Sequence, residues 1–78
     1  MVTKISMRVL LLNTETKLYL KSLDSWTPEP ELAKEFESSL QAARFAIEYS
    51  LADLEVFLDF GDQEYNVYLP VPERLRYP

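Results

Sequence analysis

The sequence predicts a two-layer α+β fold of order ββααββ: a four-stranded, mainly antiparallel sheet with helices packed on one face. Three patterns predict it. Apolar and polar residues alternate over Lys17-Leu18-Tyr19-Leu20-Lys21, and again over Leu54 to Phe60 and Tyr65 to Val71, the period of a strand with one dry face. Between these segments, Ser38-Ser39-Leu40-Gln41 has the spacing of a helix capping box and opens a run of apolar residues at helical spacing. Short polar connections, Asn13 to Thr16 and Gly61 to Glu64, join the β-type segments in pairs, as in hairpins.

In chain order, Met7 to Leu12 is β-prone and pairs with Lys17 to Lys21 in the first hairpin. Asp24 to Pro30 reads as a corner holding Trp26. Pro28 and Pro30 fit only the first turn of a helix or the loop before it. A short helix is expected from about Pro30 to Phe36, with Leu32, Ala33 and Phe36 on one face. The second helix starts at Ser38 and runs to about Ser50. Leu40, Ala43, Ile47 and Leu51 form one apolar row on it; Ala42, Phe45, Ala46 and Tyr49 form another. That stripe is wider than a surface helix needs, so one row should meet the sheet and the other the short helix or a partner. In the second hairpin Leu54, Val56, Leu58 and Phe60 share a face, with Glu55, Phe57 and Asp59 on the other. Pro70 and Pro72 end the last strand or set it at a sheet edge. One domain, 1–78, is expected, with 1–6 and 73–78 loosely ordered.

Composition narrows the function. With no cysteine and no histidine, the chain lacks a thiolate, a disulfide and the commonest general base and metal ligand. Its single glycine, Gly61, excludes a Gly-rich phosphate loop. Thirteen acidic against eight basic residues give a net charge of −5, which repels phosphate backbones and makes nucleic acid an unfavourable partner. The early apolar run, Val9 to Leu12, is too short for a signal-peptide core or a membrane span; a cytoplasmic location without membrane contact is the expectation. No cofactor is called for.

Leu18-Tyr19-Leu20, Trp26-Thr27, Ala33 with Phe36, and Ser38 with Ala42-Ala43 form a recurring pattern. It resembles small uncharacterised bacterial and phage proteins in which a strand leads to Trp-Thr, then to a helix with Ala-x-x-Phe, then to a capped helix. The resemblance covers roughly residues 17–47 and implies a fold without an activity. It makes Trp26 a corner residue closing one end of the core.

The candidate site is the sheet face turned away from the helices. Leu10, Leu12, Tyr19, Phe57 and Tyr68 fall on it, with Arg8, Lys17, Lys21, Glu55, Asp59 and Asn66. So many large apolar groups mark an interaction surface for a homodimer or a protein partner. The same rings, Tyr19, Phe57 and Tyr68, could stack single-stranded bases, against the charge of Glu55 and Asp59. Asp59, Asp62 and Glu64 have the oxygens for a weak Ca²⁺ or Mg²⁺ site, but fewer than a calcium loop provides. Glu29, Glu31, Glu35 and Glu37 could face a basic protein. No nucleophile–base pair can be named, so the chain is not expected to be an enzyme. The expected function is a small non-catalytic interaction module.

Overall fold

The computed structural model describes residues 7–61 and 66–71. The loose ordering expected for 1–6 and 73–78 concerns stretches outside the described residues. Among the described residues five strands form, β1 (Arg8–Asn13), β2 (Tyr19–Ser22), β3 (Ser25–Thr27), β4 (Leu54–Asp59) and β5 (Val67–Pro70), with one α-helix, α1 (Ser39–Glu48). They make one sheet of order β3-β2-β1-β4-β5, antiparallel throughout. The α+β class is as expected, but three details differ.

The sheet has five strands rather than four. The extra one, Ser25–Thr27, lies in the stretch read as a corner. Trp26 pairs with Leu20 and Thr27 with Tyr19. Three residues are too few for an alternation to show in sequence; the free edge of β2 makes them a strand.

Pro30 to Phe36 is not a helix. A single 3-10 turn closes over Pro30–Leu32, with the N–H of Leu32 donating to Glu29 and that of Ala33 to Pro30. The chain then extends. The N–H of Lys34 donates to the carbonyl of Leu20 and that of Phe36 to the carbonyl of Val9, both at 2.9 Å. β1 and β2 pair directly at Leu12 and Tyr19, and Lys34 to Phe36 ties the two strands together beyond that point. A helix of two turns is marginal by itself, so strand carbonyls outcompete helix carbonyls for these donors.

The third difference follows. Ala33 packs against the cluster of Leu10, Leu12 and Phe57, whereas Phe36 packs into the cluster that meets α1. The segment before Phe36 therefore straps the face opposite α1, and the chain crosses the sheet to reach the helix. The helical segments do not share one face.

These placements explain the burial of β1. It is the central strand and pairs with β4 from Arg8–Asp59 to Asn13–Leu54. Val9, Leu10, Leu11 and Leu12 are all buried, because α1 covers one face and the strap the other. The turn after β1 is built by Asn13, whose Oδ1 accepts from the N–H groups of Glu15 and Thr16.

α1 starts as expected. Ser38 Oγ accepts from the N–H of Gln41 at 3.1 Å. The reciprocal half of the capping box is absent, since Gln41 Nε2 donates to Glu37 instead. Ala42 and Ala46 are fully buried; side chains this small let the helix sit close to the sheet. Beside them Phe45 meets Phe36 edge to face at 5.2 Å. The helix ends in a Schellman motif: Leu51 N–H donates to Ala46 at 2.8 Å, Ser50 N–H donates to Ile47, and Ser50 takes φ 55°.

The second hairpin connection is longer than four residues, since the last pair is Leu58 with Val67. Its described ends are tied by side chains. Asn66 Oδ1 accepts from the N–H of Phe60, and Asp59 Oδ1 from the N–H of Gly61, both at 2.8 Å. Gly61 holds φ 84°, a conformation that suits glycine. Pro70 closes β5 at the sheet edge, where its missing N–H costs least. No helix among the described residues is long and apolar enough to cross a membrane.

Candidate interaction cleft

Strand register puts the five candidate residues together on the face opposite α1. Leu12 lies across from Tyr19, Leu10 from Phe57, and Phe57 from Tyr68. The rings make a row across the sheet: Tyr19 and Phe57 have centroids 5.6 Å apart, and Phe57 and Tyr68 are 4.9 Å apart. Both pairs are tilted, within the range in which aromatic pairs attract.

The face is not bare, however. Leu10 and Phe57 are 0% and 4% exposed, while Tyr68 is 53% exposed. The strap covers Leu10 and Leu12 and leaves the Tyr68 end open. The expectation of an uncovered sheet face is corrected on this point. The uninterrupted run Val9 to Leu12 carried the signal, since a strand covered on both faces has no need to alternate.

Where the strap stops, a cleft of about 590 Å³ opens. Tyr19, Phe57 and Tyr68 line it, with Pro30 and Glu31 from the strap and Asp59, Gly61 and Asn66 from the base of the second hairpin. Sequence reasoning placed Glu31 on the exposed side of a helix and missed its position here, because that position depends on the strap crossing the sheet.

The cleft is acidic. Asp59 Oδ2 receives a hydrogen bond from Arg8 at 3.2 Å, and Arg8 also reaches Glu35 at 3.4 Å. Glu31 has no ion-pair partner among the described residues. Of the described residues that line the cleft, Glu31 and Asp59 are the charged ones, and Asp59 is paired with Arg8. Burial raises the Tyr19 hydroxyl above the usual tyrosine pKa; Tyr68, Asp59 and Glu31 add to the rise and Arg8 opposes it. Tyr19 stays neutral at physiological pH and keeps its O–H as a donor.

Of the metal candidates Asp59, Asp62 and Glu64, only Asp59 is among the described residues. Both oxygens of Asp59 are in use, one by Arg8 and one by Gly61. Among the described residues no three potential ligands stand together as a metal site.

A second apolar surface lies beside α1. Lys34 Nζ sits 5.4 Å from the Phe36 ring centre and 5.6 Å from that of Phe45, and Phe45 meets Tyr49 at 4.7 Å. These contacts are satisfied within the chain: the ammonium already occupies the ring faces. Compared with protein-family models, curated proteins and solved structures, the chain matches none.

Proposed function

We propose that this protein is a small non-catalytic interaction module that docks a protein partner on the sheet face opposite α1. The observation that carries it is the aromatic row Tyr19–Phe57–Tyr68, whose middle ring is buried and whose last is a half-exposed tyrosine lining a cleft. A ring held by a buried neighbour offers contact area with little entropy left to lose on binding. The non-catalytic part rests on the cleft's own groups. Asp59 is tied to Arg8 and Gly61. Single-stranded nucleic acid suits the rings less well, because Glu31 and Asp59 put carboxylates beside them.

The test replaces Tyr68 with the photo-cross-linking residue p-benzoyl-phenylalanine and irradiates cells that express the chain. A discrete protein adduct is expected from this position, lost in a Tyr19→Glu background, with none from the same residue at Leu40 on the outer side of α1. An adduct of twice the chain's mass would identify the partner as a second copy. Adducts of equal yield from both positions, none from either, or tight binding of a single-stranded oligonucleotide would overturn the reading.

A further inference from the structure

The cleft has two properties that a general adhesive face would lack. Its floor is aromatic and its rim is negative. Tyr19 and Tyr68 line the cleft on either side of Phe57. Glu31 from the strap and Asp59 from β4 also line it, the charge of Asp59 partly offset by Arg8. An aromatic face attracts a cation through its quadrupole, and a nearby carboxylate adds a charge-assisted hydrogen bond. Such a site repels phosphate and carboxylate groups, and a second copy of this chain brings a net charge of −5 of its own.

Resting on the proposed docking role, we infer that the cleft receives an arginine side chain from a basic segment of the partner, stacked on Tyr19 and Tyr68 and paired with Glu31. Arginine suits the site better than lysine. Its planar guanidinium lies flat on a ring and meets a carboxylate through two parallel N–H groups, whereas an ammonium is a strongly hydrated point charge. An open cleft of about 590 Å³ has room for the whole side chain. Two cations among the described residues are engaged elsewhere. Arg8 is drawn away by Asp59 and Glu35, and Lys34 rests on Phe36 and Phe45 near α1.

The experiment titrates isotope-labelled protein with the acetylated, amidated peptide Gly-Arg-Gly-Arg-Gly and follows chemical shifts. Saturable shifts are expected at the Gly61 and Asn66 amides and the Tyr19 and Tyr68 rings. The lysine version should bind more weakly, and the glutamate version should leave the spectrum unchanged. Glu31→Gln should weaken binding roughly two- to fivefold, the range of a solvent-exposed ion pair, and about 0.5 M NaCl should weaken it in the same direction by screening. Tyr68→Ala should abolish it. Both replaced residues are exposed, so the variants keep the fold, and Leu40→Gln serves as a variant with unchanged binding. Shifts of the same size with the arginine and glutamate peptides, or none with either, overturn the inference. If the cross-link at position 68 still forms in that case, the docking role stands with a partner of other chemistry; if it is also absent, both fall.

Discussion

Leu10→Ala separates a sheet face open to water from one covered by the strap. On an open face, Leu10 would be half solvated, and trimming it would cost about 1 kcal/mol or less. Here Leu10 is 0% exposed, held between Leu12, Phe57 and Ala33. A fully buried Leu→Ala replacement costs about 2–5 kcal/mol, depending on how far the site collapses. The strap is thin and is pinned by a few hydrogen bonds, chiefly Lys34 to Leu20, so it can settle partway into the void. The expected loss is therefore about 2–3 kcal/mol, in the lower half of that range. Leu11→Ala, under α1, should cost about 3–5 kcal/mol, because the helix cannot settle so freely. A domain of this size has roughly 4–12 kcal/mol in total, so Leu10→Ala should lower Tm by on the order of 10–20 °C. Urea unfolding followed by Trp26 fluorescence measures the difference. A loss below about 1 kcal/mol with an unchanged m-value would refute the covered face, and with it the account of how the cleft is walled.

Two further outcomes follow from backbone and side-chain geometry. Ser50 sits at φ 55° in the motif that ends α1, so Ser50→Gly should stabilise by about 0.5–1 kcal/mol in the same urea assay; a loss would mean that the left-handed conformation is not held. Burial and its acidic neighbours raise the Tyr19 pKa, so the folded state holds that proton more tightly than the unfolded chain. This contribution is complete below the unfolded value near about 10 and is lost as pH rises through the higher folded value. Stability should fall more steeply above about pH 10 in the native protein than in Tyr19→Phe; parallel curves would contradict the placement of Tyr19.

Ser38 with Gln41 announced a helix start, and the structure has that bond. The alternation in 17–21 and 54–60 assigned Tyr19 and Phe57 to the face away from α1, where they meet. Both signals are local: a cap involves residues three apart, and the direction of a strand side chain is set by parity. The strand at Ser25–Thr27, the loss of the helix expected over Pro30 to Phe36, and the position of Glu31 at the cleft were decided by the tertiary structure. The first depends on the free edge of β2 a few residues upstream, and the other two on partners far along the chain. Leu20 and Val9 carbonyls capture the N–H groups of Lys34 and Phe36, and Leu20 recruits Trp26 across the sheet edge. Short segments with weak propensity take the conformation that their hydrogen-bonding partners impose. Such partners are brought near only by folding, so no window of sequence around Pro30 contains them.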